Sequence, residues 1–367
     1  MTKVLIAMSG GVDSSAAAAL CLQQGFSCAG ATMKLYENEE IGVHSRTCCS
    51  LSDIEDARAV CARLHIPYYV FNFTREFRRD VMEPFAACYR QGSTPNPCIE
   101  CNRHLKFDRL FRRAQVLGYD YLCTGHYARI EQDTVTGRWL LKKARDEKKD
   151  QSYVLYGMTQ EQLSHTLFPL GDLCKEETRA LAARLSLSTA QKQDSQDLCF
   201  VPDGDYAAFL QRFTGETPTP GSIVTLWGET LGQHQGLYRY TIGQRRGIGI
   251  PYPEPLYVVW KDLANNRLVL GRNQDLFSRR FWVEKPNLIA FSSLSRPIRC
   301  TARVRYHQQE EPLLLTPLPD GSWQGEFLTP QRAITRGQAA VFYDGDRVIG
   351  GGEISRTELD SSLEEST

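Results

Sequence analysis

The hexapeptide SGGVDS (9–14) joins two segments of opposite character. Ahead of it, KVLIAM (3–8) is a short apolar run, the pattern of a buried strand. Behind it, DSSAAAALCLQQ (13–24) is alanine-rich, starts on a capping residue and stops at Gly25, which predicts a helix. A strand that turns through two glycines straight into a helix aims backbone N–H groups at one point, and the glycines let an anion come close. Ser9 and Ser14 add hydroxyl donors, so the junction predicts a phosphate site. It is not a Walker A loop, because no lysine follows the last glycine.

Strand and helix signals go on alternating over the first ~200 residues, which predicts a doubly wound, mainly parallel α/β sheet. FSCAGATMKL (26–35), PYYVFNF (67–73) and DYLCTGH (120–126) read as strands. SDIEDARAVCARLH (52–65), with an acidic first turn, and KEETRALAARLS (175–186) read as helices. From TGETPTPGSIV onward the texture becomes short β segments with glycine turns. The expected division is 1–204 for the nucleotide domain, 205–280 for a small β-rich module and 281–360 for a C-terminal β-barrel. The polar acidic residues 361–367 are expected to be disordered.

There are 43 basic and 43 acidic residues, so a nucleic acid would have to be held by local patches rather than by a polycationic body. No run of 18 apolar residues occurs and the N-terminal apolar run is too short for a signal peptide. The chain is read as cytoplasmic, without a membrane partner. Twelve cysteines in such a compartment do not form a disulfide framework. Cys21, Cys28, Cys61 and Cys123 lie among apolar neighbours and are expected to be buried thiols.

SGGxDS resembles the signature of the ATP pyrophosphatases, or PP-loop enzymes. Further segments narrow the resemblance: GATMKLY (30–36), TPNPCIECNRHLKF (94–107), TGHYAR (124–129), KKDQSYVLY (148–156), QDSQDLCFV (193–201), LYRYTIGQRRGIGI (237–250) and ARVRY (302–306). Together they are similar to the tRNA-specific 2-thiouridylases over nearly the whole chain. The resemblance implies that ATP, with Mg²⁺, adenylates the C2 oxygen of the wobble uridine, U34. Sulfur then replaces that oxygen, releasing AMP and pyrophosphate. It implies tRNA acceptors for Lys, Glu and Gln, and a sulfur donor such as a cysteine desulfurase or a relay protein. ATP contacts carry over to Ala7, Met8, Ser9, Gly10, Gly11, Val12, Asp13, Ser14, Met33 and Gly125. From the residues alone, Met33 reads as core, and Asp13 as either a cap or a Mg²⁺ ligand.

Sulfur chemistry carries over to Cys101, in NPCIECN (96–102), and to Cys199, in DLCF. Many relatives have aspartate where this chain has Cys98. Three schemes follow. Cys98, Cys101 and Cys199 could hold a [4Fe–4S] cluster with one open iron. With His104 they could instead form a Cys₃His zinc site. Or Cys199 carries a persulfide and pairs with Cys101 at turnover, without a metal. The rival functions are another PP-loop RNA-modifying or amide-forming enzyme, an RNA-binding or redox protein with an inert phosphate loop, and a zinc-stabilised module.

The resemblance marks Lys149, Asp150, Gln151, Arg305 and Tyr306 as tRNA contacts. Asn96, Pro97 and Cys98 border the place where a flipped-out uridine would arrive. Arg299, Arg303 and Arg305 alternate with Cys300, Ala302 and Val304, which predicts a barrel strand with an outward basic stripe. The arginine pairs at 112–113, 245–246 and 279–280 are further candidate phosphate contacts. On this layout, removing everything beyond about residue 281 weakens tRNA binding and leaves ATP binding intact.

Overall fold

The computed structural model describes residues 1–37, 41, 51–193 and 198–364. Its first sheet holds β1 (Lys3–Ala7), β2 (Ser27–Lys34), β3 (Tyr68–Asn72) and β4 (Tyr121–Cys123), joined later by the short Thr166–Leu167 strand. The hairpin β5 (Arg129–Gln132) and β6 (Trp139–Lys142) leaves this sheet; with it counted, Thr166–Leu167 is β7. The order is β3-β2-β1-β4-β7 with every pairing parallel, and helices fill the crossovers. The strand order reverses between β1 and β4, so the crevice beyond their C-terminal ends is where such a sheet binds ligands.

The Val12–Gln23 helix is apolar nearly all round, with eight residues buried. It therefore sits inside, between the sheet and the Lys175–Arg184 helix, rather than on the surface. Cys21, Cys28, Cys61 and Cys123 are all buried, as expected of small hydrophobes among apolar neighbours.

The middle of the chain forms a four-stranded sheet from β8 (Gly221–Thr225), β9 (Thr230–His234), β10 (Tyr257–Asp262) and β11 (Arg267–Gly271), ordered β10-β11-β8-β9. The last part is a closed six-stranded antiparallel barrel. Its strands are β12 (Phe277–Leu288), β13 (Ile298–Arg303), β14 (Glu311–Pro317), β15 (Trp323–Arg332), β16 (Ala339–Asp344) and β17 (Arg347–Thr357), closed by β12–β17 pairing. Closure removes the exposed edges that six antiparallel strands would otherwise present. The Glu358–Glu364 helix follows, so most of the tail expected to be disordered is helical here, its start fixed by Asp360 accepting from the Thr357 N–H and hydroxyl. Residues 365–367 lie outside the described residues.

The barrel is not a detachable appendage. One core cluster runs from Leu5, Met33 and Phe77 to Ile289, Val341, Tyr343 and Val348 of the barrel. Asn287 donates to the Tyr156 and Met158 carbonyls at 2.7 and 2.9 Å, and Tyr153 donates to the Ala339 carbonyl at 2.7 Å. The β5–β6 hairpin adds to the barrel through β17. Cutting at residue 281 would expose this shared core, so the clean separation expected from the sequence does not hold.

Candidate active site

The phosphate loop sits at the β1 end of the crevice. Gly11 precedes the Val12–Gln23 helix in extended conformation, and among the described residues no side chain caps the helix, so its first N–H groups face no side-chain acceptor there. Ser9 N–H donates to Ser14 Oγ at 3.2 Å, the two hydroxyls lie 3.3 Å apart, and Ser14 Oγ donates to the Gly11 carbonyl at 3.1 Å. Gly10 has φ +72°, and a Cβ there would run into the backbone of Asp53. These features fit a polyphosphate: uncapped donors, two hydroxyls and a turn that only glycine makes without strain.

The β4 end closes on the same loop. A Cβ on Gly125 would stand 2.7 Å from the Ser14 nitrogen and 2.8 Å from the Asp13 carbonyl carbon, so the Thr124–His126 turn rests directly on the loop. Thr124 Oγ1 and His126 Nδ1 are 2.7 Å apart. Burial, with the Lys106 charge added, holds the His126 pKa well below its ordinary value and keeps the ring neutral. Met33 is 8% exposed on β2, facing both readings made of it: it packs in the core near the crevice.

Three residues that the sequence reading did not single out hold the loop. Lys175 Nζ donates to both carboxylate oxygens of Asp13, and Tyr127 OH donates to Oδ1 at 2.9 Å. Lys192 Nζ donates to the Gly10 carbonyl at 3.0 Å and to Asp53 and Asp56 at 2.6 Å each. Asp13 is thus neither a helix cap nor an open metal ligand; it is the anchor of an ion pair. Lysines 160 or more residues away carry no local signature, so only folding reveals them.

Cys98 is exposed in the short Pro97–Glu100 helix, whose Asn96 cap accepts from the Cys98 N–H at 3.2 Å. Pro97 is buried beneath it. Cys101 opens a stretch of wide π-type turns, Cys101–Leu110, a form often found at functional sites. Glu100 accepts from Arg103 at 3.0 Å and lies 3.1 Å from His104 Nε2. Burial pushes the Glu100 carboxyl up, but the His104 hydrogen bond and the Arg103 charge outweigh it and leave its pKa below the ordinary value. Cys199 is half-buried; its carbonyl accepts from Tyr36 OH at 2.6 Å, and its neighbour Phe200 is locked among Phe77, Phe85 and Phe209. Cys101 and Cys199 both pack against the core cluster that holds Leu5, Met33 and Phe77. Residues 194–197 of the QDSQDLCFV segment lie outside the described residues.

Among the described residues, no three Cys, His, Asp or Glu side chains are gathered in a way that would hold a metal ion. Cys98, Cys101 and Cys199 are therefore not gathered as a cluster site in this arrangement, and His104 lies 3.1 Å from a Glu100 oxygen rather than beside the cysteines' thiols. Among the described residues no helix is long and apolar enough to cross a membrane.

The expected tRNA residues fall into two groups. Lys149 and Tyr306 are half-exposed, and Arg245, Arg246, Arg279 and Arg299 are exposed. Tyr306 stacks edge-on against Tyr153, with ring centroids 5.7 Å apart. By contrast Asp150 is 5% exposed and bonds Ala144 N, Ser152 N and Arg303. Gln151 exchanges two hydrogen bonds with Tyr127, through its own N–H and its side-chain oxygen. Arg305 clamps the Ala333 carbonyl at 2.6 Å and Thr335 at 2.9 Å. The basic stripe alternates as expected, since Ala302 and Val304 point into the barrel, but Arg303 and Arg305 face the junction with neighbouring segments instead of open solvent. Arg112 pairs with Asp108, and Arg113 lies over Phe71; Arg280 is close to Glu326 and Glu358.

Domain-family models cover the chain in three parts: a tRNA methyl transferase HUP domain over 2–203, a tRNA methyl transferase PRC-barrel domain over 207–272, and an aminomethyltransferase beta-barrel domain over 278–354. The tRNA-specific 2-thiouridylase MnmA of Symbiobacterium thermophilum is 49% identical over 96% of this chain and 92% of its own length. That of Clostridioides difficile is 45% identical over 97% and 98%. Among solved structures, the NMN synthetase from Francisella tularensis aligns over 59% of this chain and 79% of its own at 16% identity, with a TM-score of 0.32. The labels of the family models speak of methyl transfer, whereas the relatives matched over nearly the full length are named tRNA-specific 2-thiouridylases. The chain belongs to the tRNA-specific 2-thiouridylase family, ATP-dependent tRNA-uridine 2-sulfurtransferases.

Proposed function

We propose that the Ser9–Ser14 loop holds the ATP phosphates and that Cys101 and Cys199 carry the sulfur from donor to uridine. The observation that carries the reading is the uncapped helix behind Gly10 and Gly11, sealed by Gly125 at the switch point of the sheet. The N–H groups at its start and the Ser9 and Ser14 hydroxyls would stabilise charge on the phosphates, and Met33 would border the adenine. Asp13 is already bonded to Lys175 and Tyr127. It does not fit an open Mg²⁺ ligand in this arrangement, and Mg²⁺ would arrive with the polyphosphate.

The uridine, flipped out of the anticodon stack, would enter beside Asn96–Cys101, because a stacked base hides C2. Its O2 attacks the α-phosphorus and pyrophosphate leaves, which converts a poor leaving group into AMP. The terminal sulfur of a Cys199 persulfide, its proton lost to solvent, attacks C2; AMP leaves with the former O2. The Cys101 thiolate then attacks the Cys199 sulfur, a Cys101–Cys199 disulfide forms, and the 2-thiouridine sulfur departs. A cellular dithiol, or two thiol molecules in turn, returns the disulfide to two thiols and is itself oxidised to a disulfide. The persulfide would come from a cysteine desulfurase or a relay protein, and Lys149, Tyr306 and the exposed arginines would contact tRNA.

The test uses Cys101→Ser and Cys199→Ser with a persulfide donor. Both should lose thiolation, read as retardation of tRNA on a mercury gel, yet keep tRNA-dependent pyrophosphate release. Thiolation by either variant at the wild-type rate would overturn the assignment.

A further inference from the structure

Two successive carbonyls of the phosphate loop are held by one stretch of chain, residues 189–192. The Gly10 carbonyl accepts from Lys192 Nζ at 3.0 Å. The Gly11 carbonyl accepts from Ser15 Oγ at 2.8 Å, and Ser15 Oγ accepts in turn from the Thr189 hydroxyl at 2.9 Å. The stretch is itself fastened, because Arg179 donates to the Ala190 and Lys192 carbonyls at 3.1 and 3.0 Å. Asp53 and Asp56 take up the remaining ammonium protons at 2.6 Å each, which fixes the direction in which Nζ points.

A trans peptide unit is planar, so its carbonyl and the N–H that follows point in opposite directions. No cis peptide bond occurs among the described residues. Holding the Gly10 carbonyl therefore aims the Gly11 N–H to the other side, and holding the Gly11 carbonyl does the same for Val12. The first of these two peptides is the weaker, since neither of its glycines carries a Cβ to resist its turning over. Gly10 already sits at φ +72°, where only glycine is free of strain. A cationic donor on that carbonyl keeps the peptide in place and polarises it, which strengthens the Gly11 N–H as a donor.

We propose that Lys192 is a positioning residue for the ATP polyphosphate. Without touching the nucleotide, it locks the peptide between Gly10 and Gly11 so that the Gly11 N–H stays aimed at a phosphate oxygen. The proposal rests on the reading of residues 9–14 as the ATP loop. The part played by Lys192 differs from that of Lys175, which bonds the Asp13 side chain rather than a peptide of the loop.

The experiment titrates the full chain by calorimetry with two ligands. One is an ATP analogue that cannot be cleaved between the α and β phosphates; the other is adenosine, which has no phosphate to hold. Lys192→Met should weaken the analogue about tenfold, as loss of one charge-assisted hydrogen bond predicts, and leave adenosine affinity as in wild type. Equal loss of both ligands would mean a general disturbance of the nucleotide pocket and would overturn the proposal. The single variant strands the Asp53 carboxylate, whose side chain is 5% exposed. Should it fail to fold, Lys192→Met with Asp53→Asn replaces it and should show the same selective loss. Wild-type crystals grown with the analogue should keep Lys192 Nζ on the Gly10 carbonyl, and an Nζ moved onto a phosphate oxygen would overturn the positioning role. Ser14→Ala separates the proposal from the reading beneath it. If Ser14→Ala weakens the analogue and Lys192→Met does not, the loop is the ATP site and Lys192 has no part in it. If neither variant changes the affinity, the reading of the loop itself fails.

Discussion

Lys175 Nζ lies 2.7 and 2.8 Å from the two carboxylate oxygens of Asp13, an ion pair that joins the Lys175–Arg184 helix to the phosphate loop across 162 residues of sequence. The lysine side chain is nearly buried and the carboxylate a third exposed, so the pair fixes the loop from its inner side. A charge-assisted hydrogen bond contributes roughly 1.5–3 kcal/mol. Lys175→Met should therefore slow tRNA-dependent pyrophosphate release about tenfold or more while tRNA affinity in a filter-binding titration stays as in wild type.

Gly125→Ala tests the seal between the two halves of the crevice. The added methyl meets backbone of Ser14 and Asp13, which cannot swing away as a side chain could. Overpacking of this kind costs about 1–3 kcal/mol. Calorimetric titration should show ATP affinity down at least tenfold with tRNA binding retained.

Asp150→Ala should destabilise the protein by about 3 kcal/mol, since removing one partner of a buried pair strands the other charge. Here it also strips the Ala144 and Ser152 N–H groups of their acceptor, although Glu310 continues to bind Arg303. Chemical denaturation checks this. Any loss of tRNA binding should track the loss of folded protein, and a stable variant deficient only in tRNA binding would mark Asp150 as a direct contact instead.

Cys98→Ser should keep thiolation within about threefold of wild type when a persulfide donor supplies the sulfur, because the persulfide scheme gives Cys98 no bond to make. A loss as complete as that of Cys101→Ser would show that Cys98 is chemically required. Mercury-gel analysis of the product tRNA distinguishes the two.

The buried His126 sets a pH limit. Its folded pKa lies well below the ordinary 6.5, so the unfolded chain binds the proton first as pH falls. Stability should be fully present above pH 6.5 and decline below it, and His126→Gln should flatten that part of the profile in thermal melts from pH 7.5 to 5.

The local chemistry of the chain was enough to determine the phosphate loop, the strands beside it, the buried thiols and the all-β character of the second half. Each of these is written in neighbouring residues: glycines at a strand–helix turn, apolar runs of strand length, alternation with period two. Cys101 and Cys199 were marked only by the resemblance to the 2-thiouridylases, since the residues around Cys199 alone read as those of a buried inert thiol. Tertiary structure decided everything that depends on distant partners. It turned Asp13 from a cap or metal ligand into the partner of Lys175, and gave Asp150, Gln151 and Arg305 internal bonds where RNA contacts were expected. It also folded Tyr343 and Val348 into the same core as Met33, so the barrel cannot be cut away cleanly. The physical reason is common to all of these. A charge or an apolar side chain shows its type in sequence, but whether it faces water, an opposite charge or another domain is fixed only when remote segments pack together.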